Sequence, residues 1–219
     1  MWKADTLAML GAGAIQTLIM TIISTLFSYL IGLPLGVALA VTAPGGVHPM
    51  RTVYKVLDIV VNLLRSVPFL ILLIAIIPFT RLITGTSIGT AATVVPLVVA
   101  SFPFVGRLVE SSIHEVDPGV IEAAQSMGAT VPQIILKVML PESVPSLILG
   151  GAIATTTILS YSAMAGVVGG GGLGDIAIRY GYYRYQNDIM FATVVLLVII
   201  VQILQALGNR FARVTDNRR

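Results

Sequence analysis

Charged residues stand far apart along this chain and leave long apolar runs between them. No Asp, Glu, Lys or Arg occurs between Asp5 and Arg51, and Arg65 alone interrupts the run from about Ile59 to Pro78. Twenty-five charge-free residues separate Arg81 from Arg107. Two further runs lie between Glu142 and Asp175 and between Asp188 and Arg210. A membrane-crossing helix needs about 20 mostly apolar residues. The pattern therefore predicts five transmembrane helices, over residues 15–41, 59–78, 82–106, 143–166 and 189–209. Pro34, between Gly32 and Gly36, falls inside the first and is expected to bend it, because proline removes a backbone hydrogen bond. A cleaved signal peptide is the alternative for the N-terminal run. Such peptides have a basic start and only about 7–15 apolar residues, whereas here Lys3 is offset by Asp5 and the run is far longer.

Composition agrees with the pattern. Of 219 residues, 56% are hydrophobic and 11% charged, with a mean hydropathy of +0.95. Soluble domains carry about 25% charge, so too little charge is present to cover a water-facing globule. Disordered chains are poor in large apolar residues, and the absence of cysteine excludes a disulfide scaffold. The expected class is an all-α integral membrane protein, a single transmembrane domain over residues 1–219. Its partners are then the lipid bilayer and other proteins, with no nucleic acid. The formal charge of +3 matters mainly for orientation. With five crossings and a cytoplasmic C-terminus, Arg51, Lys55, Arg65, Arg107, Lys137, Arg210, Arg213, Arg218 and Arg219 lie inside. Lys3, Arg81, Arg179 and Arg184 then lie outside. The positive-inside rule thus places the N-terminus outside and the C-terminus in the cytoplasm. The loop between crossings three and four, about 115–140, then faces the cytoplasm.

That loop is dense in local signals. Asp117 followed by Pro118 reads as an N-cap with proline at the first helical position. Gly128 stands where a helix commonly ends in a left-handed residue. Thr130 with Gln133 reads as a capping box opening a second helix, which Pro141 is expected to stop or kink. The short helix between offers Val120, Ile121, Ala124 and Met127 as an apolar face. A helix of two to three turns is marginal alone, so this one either docks in a partner's groove or packs under its own bundle.

Glu122-Ala123-Ala124, then Gly128, then Val138-Met139-Leu140-Pro141 resemble the EAA loop of ABC importer permeases, with valine at position 138 where that family more often has isoleucine. The segments Arg65-Ser66-Val67-Pro68-Phe69, Ile77-Pro78-Phe79-Thr80-Arg81, Gly85-Thr86-Ser87-Ile88-Gly89 and Tyr161-Ser162-Ala163-Met164-Ala165-Gly166 resemble the methionine-uptake subfamily of these permeases. The resemblance implies a type I ABC permease fold in a bacterial inner membrane. It also implies a homodimer with two cytoplasmic ABC ATPase subunits and an extracytoplasmic methionine-binding protein. The 115–140 loop is then the coupling loop, with Glu122, Ala123, Ala124, Met127 and Gly128 docking the ATPase.

Other features fit transport without bond chemistry. Gly166 to Gly174 holds six glycines but lacks the lysine and Ser/Thr of a phosphate-binding loop. It reads as a flexible or re-entrant stretch near the outer surface, as a site of tight helix packing, or as a channel filter. No acidic residue or histidine falls near the centre of a span, as a proton-driven carrier requires. His48 and His114 lack a ligand cluster, so no metal, cofactor or catalytic residue is expected. Arg65 reads either as functional or, near a cytoplasmic helix end, as snorkelling to the surface. Arg107 and Glu110 are expected to pair along a helix. Tyr180, Tyr182, Tyr183 and Tyr185 read as an interfacial belt, with ligand stacking as the alternative. The fourth crossing, with Thr155, Thr156, Thr157, Ser160, Tyr161 and Ser162, is expected to line a dimer axis. There Met164 either closes the outer side of the path or fills a packing gap. The expected function is ATP-driven methionine import by alternating access. Another amino acid or small solute as cargo, or an ATP-independent secondary carrier, are the alternatives.

Overall fold

In the computed structural model of the protein, residues 4–215 are described; Lys3, Arg218 and Arg219, used above for orientation, lie outside them. Small residues decide how the first helix, α1 (Ala4–Thr42), packs. Gly13, Thr17, Thr21, Ser24, Ser28, Gly32 and Gly36 recur every three or four residues and are all buried. From Gly32 to Gly36 this ridge lies against α5 (Thr90–His114), the most extensive helix pairing among the described residues, while Gly13 and Thr17 meet the segment Gly172–Ile176. A β-carbon added at Gly32 would sit 2.8 Å from Val105 Cβ and 2.9 Å from the Phe102 carbonyl oxygen. Close backbone approach over small residues is how helices associate where lipid removes the hydrophobic drive. The opposite face of α1, with Ile15, Ile22, Leu26 and Leu30, is exposed. The helix runs on through Pro34 without ending.

Four helices among the described residues are long and apolar enough to cross a membrane, and the second expected crossing is not one straight helix. It divides into α2 (Arg51–Ser66) and α3 (Phe69–Ala75), bent by 96° at the break. Val67 is extended, the conformation a following proline imposes. A short helix, α4 (Ile77–Thr84), closes on left-handed Gly85. The third crossing therefore begins at Thr90, well beyond the expected residue 82.

After α5 come α6 (Pro118–Ser126) and α7 (Val131–Ile134), then a π-helical stretch, Ile135–Met139, leading into α8 (Leu140–Ala165). Pro141 does not stop this helix. The Leu140 N–H reaches back five residues to the Ile135 carbonyl, and the wider turn lies directly before the residue that lacks a donor.

The glycine-rich stretch is pinned, not flexible. Thr93 Oγ1 donates to the Gly170 carbonyl at 3.1 Å, and the Gly172 and Leu173 N–H groups donate to Gln16 Oε1 and Thr17 Oγ1. It turns the chain into α9 (Gly172–Ile176) and a π-helical segment, Ala177–Tyr182, where Tyr182, Tyr183 and then Tyr185 are exposed. The last helix, α10 (Asn187–Thr215), buries only Ile189 and Thr193. Its Val194, Val195, Val198, Ile199 and Ile203 face outward, a surface suited to lipid and not to water. Among the described residues every regular element is helical.

Candidate functional site

The loop between α5 and α8 folds as its local chemistry dictates. Asp117 caps α6, its Oδ1 accepting from the Gly119 N–H at 2.7 Å, with Pro118 at the first position. At the other end Gly128 adopts φ +79°, and the Gly128 and Ala129 N–H groups return to the Gln125 and Ala124 carbonyls. Thr130 N–H then donates to Gln133 Oε1 at 2.8 Å, one arm of the capping box that opens α7. Both ends of α6 are thus fixed by hydrogen bonds. The helix is held as a rigid short rod.

Its expected apolar face divides in two. Ala124 is buried in its own bundle, with Ile134 and Met139, and half-buried Ile121 packs beside them. Val120, Ala123 and Met127 are exposed, Met127 by 82%. Glu122 is also exposed and, with Gln125 and His114, borders a 290 Å³ cavity behind the helix. The helix therefore packs on its own bundle through one side and leaves the other without a partner. Of the five residues expected to dock, Glu122, Ala123, Met127 and Gly128 are available, whereas Ala124 anchors the helix from behind.

On α8 the small hydroxyls bond within their own helix. Thr155, Thr157 and Ser160 donate to the carbonyls four residues earlier, and Ser162 donates to Leu159. Leu149, Ile153, Ser160, Met164 and Val167 fall on one exposed stripe, with Thr156 and Thr157 half-buried along it. Ser160 and Met164 therefore share an unpartnered face. Tyr161 and Ser162 do not: Ser162 is buried, and the Tyr161 ring is stacked on Phe69 at 4.7 Å, only 5° from parallel.

The expected Arg107–Glu110 pair is present at 2.7 Å, and it belongs to a larger cluster. Arg107 also pairs with Asp58 and donates to Asn62 Oδ1, tying α5 to α2. Asp58 and Asn62 were not singled out by the sequence reading. Their signal is a polar stripe on α2, Arg51, Lys55, Asp58, Asn62 and Arg65, at steps of three or four. Arg65, exposed in the last turn of α2, lines a cavity with Ala100 and Phe104, which bracket the middle of α5. The bend at Pro68 ends α2 there. Among the described residues no group of three or more His, Cys, Asp or Glu could hold a metal ion.

The family of binding-protein-dependent transport system inner membrane components matches residues 32–219. The chain belongs to that family. This inner membrane component is 50% identical over 217 residues to the probable D-methionine transport system permease protein MetI of Vibrio cholerae, covering 99% of this chain and 96% of that one. It is 43% identical over 180 residues to the methionine import system permease protein MetP of Bacillus subtilis, covering 82% and 81%. A solved structure described as inward-facing conformations of the MetNI methionine ABC transporter matches with a TM-score of 0.97 and 45% identity, over 99% of this chain and all of that one. Its fold is therefore that of a type I ABC importer permease, as the resemblance implied.

Proposed function

We infer that this chain is the membrane-spanning permease subunit of an ATP-driven importer and that methionine is its cargo. The observation that carries this is the near full-length match to proteins named as methionine permeases, in sequence and in fold. Nucleotide hydrolysis belongs to a separate subunit, and the permease supplies a path and makes or breaks no covalent bond.

The assembly we propose is two copies of this chain, two cytoplasmic ABC ATPase subunits and an extracytoplasmic binding protein that delivers the amino acid. The N-terminus lies outside, the C-terminus and α6 in the cytoplasm, and residues 1–219 act as one transmembrane domain. The exposed side of α6, with Glu122, Ala123 and Met127, enters a cleft of the ATPase; Gly128 sets the helix end and Ala124 transmits the load to the bundle. Support for this lies in the capped, rigid helix and its unpartnered face. The α8 stripe meets its twin across the dimer axis, and Met164 closes the path on the outer side. Closing of the ATPase pair on ATP draws the two α6 helices inward and rocks the permeases outward-open; hydrolysis resets them. Such a gate needs only two packings of one interface with different contacts in each.

Amphipathic α2 supports the same arrangement. Its polar stripe suits a water-filled path or a partner, and irregularity such as the Pro68 break is tolerated where backbone lines a cavity. Co-reconstitution with the ATPase and binding protein tests the reading. ATP-dependent uptake of labelled methionine, as either enantiomer, is expected, with little competition from unrelated amino acids. Stronger competition by another amino acid would replace the cargo, and uptake by the permease alone on an ion gradient would overturn the ATP-driven mechanism.

A further inference from the structure

We propose that Arg65, with Thr157 and Tyr161, forms a binding site for an amino acid in transit, Arg65 taking its carboxylate. The proposal rests on the permease reading above. A cavity of 250 Å³ opens where α2 ends and bends into α3, and Arg65, Phe69, Ala100, Phe104, Thr157 and Tyr161 line it. A 25-residue α5 is about 38 Å long, and Ala100 and Phe104 stand on either side of its midpoint. With α5 centred in a hydrocarbon layer about 30 Å thick, Arg65 would lie near its middle, too deep for the headgroup phosphates to serve as its ligand. A cation at that depth is costly, and it marks a ligand or ion pathway.

Neighbouring charges are already committed. Asp58, the nearest acid along α2, pairs with Arg107, as does Glu110. Among the described residues Arg65 has no hydrogen-bonding or ion-pair partner, so its guanidinium is free for a carboxylate, which it matches with two parallel hydrogen bonds. The other walls suit the rest of an amino acid. Thr157 Oγ1 donates to the Ile153 carbonyl at 2.9 Å, which leaves its lone pairs to accept from an ammonium group. The Tyr161 ring, held parallel to Phe69, and Phe104 offer apolar surface to a side chain. At 250 Å³ the cavity lies just below the roughly 300 Å³ at which drug-sized pockets begin, a fit for one small molecule.

The chain contains no cysteine, so Ala100→Cys places a single thiol on it in the wall of the cavity. The assembled permease–ATPase complex is alkylated with a maleimide in the presence of methionine or of methioninamide, which lacks the carboxylate. Methionine is expected to slow alkylation and methioninamide is not. Adding Arg65→Gln is expected to raise the methionine concentration needed for protection at least about tenfold, the scale of one lost charge-assisted hydrogen bond; Arg65→Lys recovers part of it. Equal protection by methionine and methioninamide, unchanged protection with Arg65→Gln, or no protection at all overturns the proposal. The first comparison stands even if Arg65→Gln fails to assemble. Absence of methionine uptake by the unsubstituted complex would instead contradict the cargo assignment, and the site is then probed with the amino acid that is taken up and its amide.

Discussion

Gly128 shows how much one backbone angle can decide. Its φ is +79°, and nothing lies within 4 Å of where a β-carbon would be. A side chain there has room, so a substitution acts through the backbone alone. An L-residue in the left-handed region costs roughly 1–2 kcal/mol, more when β-branched, while asparagine tolerates it. Gly128→Val is expected to reduce both ATPase co-purification and uptake while the chain still inserts in the membrane; Gly128→Asn should retain most of each. Equal behaviour of the two variants would show that the left-handed turn is unimportant. The turn was legible in the sequence because everything that shapes it is local: Asp117, Pro118, Thr130 and Gln133 each act within four residues. Ala124 was less legible, since an alanine carries no mark of whether it meets a partner or its own chain. That depends on Ile134 and Met139, folded back behind it.

At the scale of elements, spacing of small residues governs the packing of α1 on α5. Gly32→Ala would force a β-carbon to within 3 Å of the Phe102 backbone oxygen, and overpacking of this kind costs about 1–3 kcal/mol. Gly11, on the same helix, has open space around it, and there alanine should be neutral or favourable by up to about 1 kcal/mol. Thermal unfolding of the purified protein checks the pair: Gly32→Ala lowers the midpoint and Gly11→Ala does not. The existence of the apolar helices was readable from charge spacing, because four of the five runs are charge-free and at least as long as a bilayer demands. Their breaks were not. Pro68 splits a crossing, yet Pro34 leaves α1 intact and Pro141 is absorbed by a wider π turn. The residue type is the same, and the outcome depends on whether neighbouring turns can take up the missing donor.

For the whole molecule, exposed surface shows what the isolated chain lacks. The apolar faces of α1 and α10 are satisfied by lipid, whereas the mixed stripe of α8, with Ser160 and Met164, is matched by neither lipid nor water. In the twofold pairing proposed above, this stripe would meet its own copy. Met164→Cys, introduced into a chain with no other cysteine, is therefore expected to form a disulfide between copies under mild oxidation. Leu30→Cys, on the lipid face, is not, and equal yields at both positions would contradict the axis. The central claim is that α6 receives the force of a separate ATPase, and cross-linking tests it most directly. In the assembled transporter, Ala123→Cys carrying a short thiol-to-amine cross-linker should capture the ATPase subunit, with a yield that changes between nucleotide-free and ATP-bound states. Failure to capture it, together with labelling of position 123 by an impermeant maleimide from outside intact cells, would contradict the account.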